Sequence, residues 1–313
     1  MEREFIAWLT AALPSSPLLK IGLGDDAAVL GWRAGDDLVA ATDTVTDLVD
    51  FKLAEIDPRR AGHKALAVNL SDMAAMAAEP VAALVSLVLP ADGCGDMSAR
   101  ELAESLFRGM LPLAEEFGCV IAGGDTNLWD GPLAVSVTVL GRVGAAGPLT
   151  RSGARPGDVV MATGAFGGSI LGRHLDVQPR VREALVLREQ FGATAAIDVS
   201  DGLALDASRL AAASGCGVAL ALDAIPVSSD AARLAAQTGR TAIEHALGDG
   251  EDFELLFTAP SDAAARLLAA QPFAGAPVTR IGRCVEQAGL WKLTAGGDLE
   301  PLPATGYLHG ERG

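Results

Sequence analysis

Ala65 to Pro80, ALAVNLSDMAAMAAEP, constrains this chain more than any other stretch. Its alanine, leucine and methionine content predicts a helix, and a helix apolar nearly all round is a buried one. Asn69, Ser71 and Asp72 interrupt that apolar surface. A carboxylate withdrawn from water without compensation is costly, so Asp72 must be protonated, paired with a base or bound to a cation. The bland alternative is that Ser71 and Asp72 cap a second short helix starting at Met73. Lys64, the nearest basic residue at helical spacing, stands two turns away.

Further acidic residues recur beside Gly, Ser or Thr along the chain. Gly22-Leu23-Gly24-Asp25-Asp26 leads into an expected strand at 27–32, and the strand Leu38 to Ala41 leads into Thr42-Asp43-Thr44. Asp57-Pro58 marks the start of the helix that runs into the opening stretch. Val81 to Leu89 reads as a strand, Met97 to Phe117 as a helix, and Val120 to Ala122 as a short strand emptying into Gly123-Gly124-Asp125-Thr126. Val135, Val137 and Val139 alternate in one more strand, and the Gly/Pro-rich Gly144 to Pro148 is the expected boundary between domains at 1–147 and 148–313.

In the second half, Arg151 and Arg155 lie in a turn before the strand Val159 to Thr163. Ala195 to Val199 delivers Asp198, Ser200 and Asp201 to the start of a helix at Leu203, and Gly248 to Asp252 precedes a strand at Phe253. Each half therefore mixes about four strands with two or three longer helices, which predicts two α+β domains instead of one doubly wound parallel sheet.

Charge narrows the function. Forty acids against twenty-four bases give a formal charge of −16, with no basic block to follow a phosphate backbone, so neither nucleic acid nor an anionic membrane is an expected partner. Cys94, Cys119, Cys216 and Cys284 are scattered outside any zinc spacing, as expected of free thiols in a cytoplasmic protein. Hard oxygen donors at expected strand ends suit Mg²⁺, because gathered carboxylates repel unless cations sit between them. No Walker loop, dinucleotide fingerprint or GxSxG elbow is present. A bound nucleoside triphosphate would then be held through metal bridges, helix N-termini such as the one after Gly202, and Arg151 or Arg155. Gly164 to Gly168 is a weaker candidate phosphate cradle, and the four histidines stand in no motif.

Seven segments together resemble one family: GLGDDAAVL (22–30), ATDTVTD (41–47), KALAVNLSDMAAMAAEP (64–80), IAGGDT (121–126), LTRSGARPGD (149–158), AIDVSDGLALD (196–206) and GDGEDFELLF (248–257). Their order and spacing are similar to those of thiamine-monophosphate kinase, within the superfamily of aminoimidazole ribonucleotide synthetase, selenophosphate synthetase and a hydrogenase-maturation protein. The resemblance implies a homodimer whose N-terminal domains pair through β-strands, a C-terminal α+β sandwich, and direct phosphoryl transfer from ATP to thiamine monophosphate. It further implies several Mg²⁺ ions, with a monovalent cation as an optional addition. Carried over residue by residue, it assigns Asp26, Thr42, Asp43, Asp72, Asp125, Asp198 and Asp201 to Mg²⁺. Gly124, Asp125, Arg151 and Ser200 go to ATP, and Asp50, Glu251 and Tyr307 to the acceptor.

Two positions depart from the family pattern: Asp50 stands where a histidine is usual, and the tail Gly306-Tyr307-Leu308-His309-Gly310 lacks the final aromatic. The competing readings are an enzyme of the same superfamily with another acceptor, and a non-catalytic Mg-nucleotide-binding assembly protein.

Overall fold

The computed structural model describes residues 2–14, 16–21 and 29–308, and the chain divides into two compact units. The first comprises 1–73, 78–147 and 175–177; the second comprises 74–77, 148–174 and 178–313.

The first unit runs α1 (Glu2–Ala12), β1 (Leu19–Ile21), β2 (Val29–Leu30), β3 (Asp37–Thr46), α2 (Pro58–Ala75), β4 (Glu79–Pro90), α3 (Ala99–Glu116), β5 (Val120–Trp129) and β6 (Ala134–Val143). A four-stranded sheet has the order β3-β6-β4-β5, parallel only between β4 and β5. Alternation decides its faces: Val135, Val137, Val139 and Val85 are buried on one side, while Leu38, Leu84, Thr42 and Thr44 lie exposed on the other. Ser98 caps α3 in a reciprocal capping box with Glu101, and α1 joins α3 through Phe5 against Phe107 at 5.6 Å between ring centroids.

Where α2 meets α3 the backbones touch. A Cβ at Gly62 would lie 1.9 Å from Leu106 O, and one at Gly109 would lie 1.8 Å from Arg59 O. Gly62→Ala or Gly109→Ala should therefore force the helices apart and cost about 2 kcal/mol or more in urea denaturation, whereas Gly144→Ala, which meets nothing within 4 Å, should cost far less.

The second unit runs β7 (Val159–Thr163), α4 (Val181–Phe191), β8 (Ala195–Asp198), α5 (Leu203–Ser214), β9 (Gly217–Leu220), α6 (Ser229–Thr238), α7 (Ala242–Gly248), β10 (Leu255–Ala259), α8 (Ser261–Ala270), β11 (Val278–Val285), β12 (Gly289–Leu293) and β13 (Leu299–Pro301). Seven strands form one sheet in the order β13-β12-β9-β11-β7-β10-β8. Its core includes Val160, Ala162, Ile197, Leu256 and Ile281 from the strands with Leu203, Ala207 and Leu210 from α5.

The two α+β domains expected from the element pattern are present, but local readings change. The helix through Ala65 stops at Ala75, Ala77 turns left-handed at φ 48°, and Glu79 and Pro80 already belong to β4. No second helix begins at Met73, so Ser71 and Asp72 cap nothing. Thr42 and Asp43 lie inside β3, and Asp125 lies inside β5, not at strand ends. Threonine continues a pleated strand well, and a bulge at Ala122 absorbs the glycine pair that had read as a turn. Among the described residues the second half has seven strands where about four were expected, in part because short β12 and β13 carry no strong alternation.

Candidate functional site

In the first unit the polar residues of α2 do separate jobs. Fully buried Asn69 accepts from Asp43 N–H at 2.9 Å and donates to Ala65 O at 2.9 Å, fastening α2 to β3. Asp72 lies about one turn further along α2 than Asn69. Asp72 is half-buried instead of buried, because the helix ends three residues beyond it. That position puts a carboxylate near the negative pole of a helix whose last turn has no basic residue, which favours a cation there.

The sheet register separates the other candidates. Asp43, Val137, Val85 and Gly124 share one row, with the valines buried, whereas Asp125 shares a row with Ser86, Ser136 and Thr44. Asp125 and Thr42 are thus on the open face, and Thr42 accepts from Thr138 Oγ1 at 3.0 Å while donating to Val137 O at 3.1 Å. Gly124 leaves no space for a side chain, since a Cβ would lie 1.8 Å from Val85 O. Asp50 closes the turn after β3: its Oδ2 accepts from Thr46 N–H at 2.6 Å, and its carbonyl accepts from buried Lys64 Nζ at 2.9 Å. Asp26 lies outside the described residues.

No group of three or more His, Cys, Asp or Glu side chains among the described residues is arranged to hold a metal ion. The donors still fit Mg²⁺, which ordinarily takes one or two protein carboxylates and completes its shell with water and substrate phosphate.

In the second unit three segments meet. Val199-Ser200-Asp201-Gly202 follows β8, and the loop of Gly248 to Glu254 packs on it through Glu251 N–H to Ser200 O at 2.7 Å and Phe253 N–H to Val199 O at 2.8 Å. Tyr307 N–H donates to Asp201 O at 2.8 Å. Gly250 and Gly306 permit the approach, since Cβ atoms there would lie 2.7 Å from Ser200 O and 2.5 Å from Asp201 O. Ser200, Asp201, Glu251 and Tyr307 are therefore neighbours, with buried Asp198 at the end of β8. Arg151 is held elsewhere in this unit: its carbonyl accepts from Ser214 Oγ at the far end of α5, and the preceding Thr150 O accepts from Ala196 N–H near the start of β8.

The first turn of α5 has no side-chain cap, a ready anion-binding terminus. Asp206 instead reaches back to Asp201 N–H at 3.0 Å and forward to Arg209 at 2.7 Å, and Arg209 also pairs with Asp201. Burial pushes the Asp206 carboxyl up to about 6 against the pull of those donors. Sequence reasoning missed Arg209, although its spacing from Asp206 is that of a helical ion pair.

The acids of GDGEDFE divide in an unforeseen way. Asp249 meets His245, Arg240 and Gly168 N–H, Asp252 meets Arg173 and Gly167 N–H, and Glu254 meets Arg180 and Thr163. Gly167 and Gly168 thus spend their N–H groups on the protein's own carboxylates, which overturns the reading of Gly164 to Gly168 as a phosphate cradle. Burial raises the Asp252 carboxyl to about 7, opposed by Arg173 and Gly167. From 3.8 to about 7 the folded protein then holds a proton that the unfolded chain has released, so this group's contribution to stability falls as pH rises through that window and levels above it. Denaturation of Asp252→Asn across pH should lack that component, whose slope is at most about 1.4 kcal/mol per pH unit.

Fold and site define a two-domain class: the AIR synthase related protein N-terminal domain matches residues 24–143, and the corresponding C-terminal domain matches residues 161–290. Within that class the chain is 44% identical over 319 residues to the thiamine-monophosphate kinase of Rhodopirellula baltica, covering 99% of this chain and 98% of that protein. It belongs to the thiamine-monophosphate kinase family. Among solved structures, that of thiamine-monophosphate kinase from Stenotrophomonas maltophilia is similar with a TM-score of 0.78 and 33% identity over 92% of this chain and 94% of that one. AaThiL complexed with AMPPCP and TMP is similar at a TM-score of 0.75 and 27% identity, over 98% of this chain and 96% of that one.

Proposed function

We propose that this protein transfers the γ-phosphoryl group of ATP to the phosphate of thiamine monophosphate, giving thiamine diphosphate and ADP. The observation that carries the reading is the meeting of Ser200, Asp201, Glu251 and Tyr307 at the uncapped start of α5, in a chain related along its whole length to thiamine-monophosphate kinases. The relative complexed with AMPPCP and TMP supports the same substrate pair.

In this reading Ser200 and the first turn of α5 receive nucleotide phosphate, and the family resemblance also assigns Gly124, Asp125 and Arg151 to the nucleotide. Asp26, Thr42, Asp43, Asp72 and Asp125 in the first unit, and Asp198 and Asp201 in the second, would supply oxygen donors for Mg²⁺. When bound, Mg²⁺ neutralises charge on the phosphates. An acceptor phosphate oxygen is already anionic, so no protein base has to remove a proton, and the residues act by holding the two phosphates in line. The family resemblance assigns Glu251, Tyr307 and Asp50 to the acceptor. Because Asp50 spends one carboxylate oxygen on Thr46 N–H, it orders its turn besides any contact it makes with substrate.

The exposed open face of the first unit's sheet, with Leu38 at 57% and Leu84 at 39% exposure, supports pairing with a second copy of the chain. No helix among the described residues is long and apolar enough to cross a membrane, and Cys94, Cys119, Cys216 and Cys284 are free thiols, which supports a cytoplasmic location.

Purified protein with ATP, Mg²⁺ and thiamine monophosphate is expected to form thiamine diphosphate and ADP in equal amounts, read by chromatography. ATP turnover with no diphosphate product would transfer the reading to another acceptor of the superfamily. Nucleotide binding without turnover would leave an assembly role.

A further inference from the structure

Glu251 and Phe253 both hold left-handed backbone, at φ 55° and φ 50°, although neither is glycine. Such conformations persist only where surrounding structure over-determines them, and they cluster where geometry matters to function. Here the residues alternate with two inward carboxylates. Asp252, whose side chain is fully enclosed, accepts Gly167 N–H on both oxygens at 3.0 and 2.9 Å and Arg173 Nη2 at 2.7 Å. Arg173 also donates to Ala165 O and Gly167 O at 3.1 Å each, so one guanidinium ties the loop of 249–254 to the glycine turn of 164–168. Ser169 Oγ adds a bond to Gly250 O at 2.7 Å.

The strained peptides point their N–H groups the other way, Glu251 to Ser200 O and Phe253 to Val199 O. The loop is thus anchored on its inner side and grips the Ser200 turn on its outer side. A purely stabilising loop has no need of two strained residues next to a desolvated ion pair.

We infer that the Arg173–Asp252 pair is a positioning device that locks Glu251 and Ser200 into one rigid unit, so that acceptor-side and nucleotide-side groups keep a fixed separation. The inference rests on the assignment of Ser200 to nucleotide and Glu251 to acceptor given above. Neither Arg173 nor Asp252 is asked to touch substrate. Their effect passes through the clasp between 199–200 and 251–253, and a displacement there of about 1 Å is enough to cost about a hundredfold in rate.

The test compares Arg173→Gln, Arg173→Lys and Asp252→Ala with the wild-type chain in two independent readouts. Amide hydrogen exchange follows Glu251 and Phe253 against Leu256 and Thr258 in β10, and steady-state kinetics follow phosphorylation of thiamine monophosphate. In Arg173→Gln and Asp252→Ala the Glu251 and Phe253 amides should exchange at least about tenfold faster while β10 stays protected. In the same variants kcat should fall about ten- to a hundredfold with a smaller change in KM for ATP. Arg173→Lys, the milder variant, should recover a large part of both. Unchanged exchange at Glu251 and Phe253 would overturn the inference, and so would acceleration spread equally through β10, which marks a merely structural role. A wild-type chain that phosphorylates no thiamine monophosphate would defeat the functional reading alone, since the exchange comparison stands apart from activity.

Discussion

Asp72→Asn is expected to lower turnover of thiamine monophosphate by about 10²–10³-fold while leaving the fold intact. The two halves of that expectation come from different features of α2. Leu66, Leu70 and Met73 are fully buried, and Asn69 carries the bond to β3, so the packing that holds the helix rests mainly on side chains other than Asp72. Asparagine has nearly the same shape, and at a half-buried position the stability change should stay within about 1 kcal/mol. What it lacks is charge. At the C-terminal turn of α2 the peptide dipole and the carboxylate both attract a cation, and the neutral amide removes the stronger of these attractions. Affinity for ATP should then lose most of its dependence on Mg²⁺, as read by titration calorimetry with and without the metal. Turnover within about threefold of wild type would take Asp72 out of the site, because a carboxylate that holds a cation against the transferring phosphates is worth far more than that.

The same helix shows what the bare sequence could and could not disclose. Asp72 stood out because a carboxylate breaks an apolar pattern, and that signal survives even though the residue proved half-buried. The placement of Asp43 was harder to read. Thr42-Asp43-Thr44 looks like a turn by residue type, yet ten residues of β3 run through it, and only the pairing with β6 decides that Asp43 shares the buried valine row while Thr42 takes the open face. Register is a property of two strands, so no single segment discloses it.

The acids of GDGEDFE were the harder case. Of its four carboxylates only Glu251 carries an assignment from the resemblance, and the other three meet basic side chains: Asp252 meets Arg173, Glu254 meets Arg180, and Asp249 meets Arg240 and His245. Their arginines lie nine or more positions away in the chain and carry no motif, so the partnership is invisible until the fold closes. The resemblance gave Ser200 to ATP, Asp201 to Mg²⁺, and Glu251 and Tyr307 to the acceptor, and the second unit makes neighbours of those four.

Loss of one of these loop carboxylates should be the most destabilising single change in the second unit. Glu254 accepts both Arg180 Nε at 2.7 Å and Nη2 at 2.6 Å, and it also accepts Thr163 Oγ1 at 2.6 Å, which in turn accepts Leu255 N–H at 2.9 Å. Both charged side chains are largely enclosed, at 15% exposure for Arg180 and 7% for Glu254. Such a pair gives little net stability over an apolar packing of the same volume, because desolvation offsets the attraction. Removal of one partner is different. Glu254→Ala leaves a largely enclosed guanidinium with only the more distant Glu183, at 3.8 Å, as counter-ion and a fully buried Thr163 hydroxyl without its acceptor, and breaking a buried pair in this way costs about 3 kcal/mol. In a unit of this size that corresponds to a fall of about 10 °C in the unfolding midpoint, read by calorimetry. Glu254→Gln keeps an acceptor for Thr163 and one for Arg180 and should lose about half as much. The double variant Glu254→Leu with Arg180→Met should recover part of the loss, since it removes the orphaned charge together with its partner. A fall of under about 1 kcal/mol in Glu254→Ala would mean that Arg180 swings out to water, and the rigidity ascribed to the loop would then have to come from Asp252 and Asp249 alone.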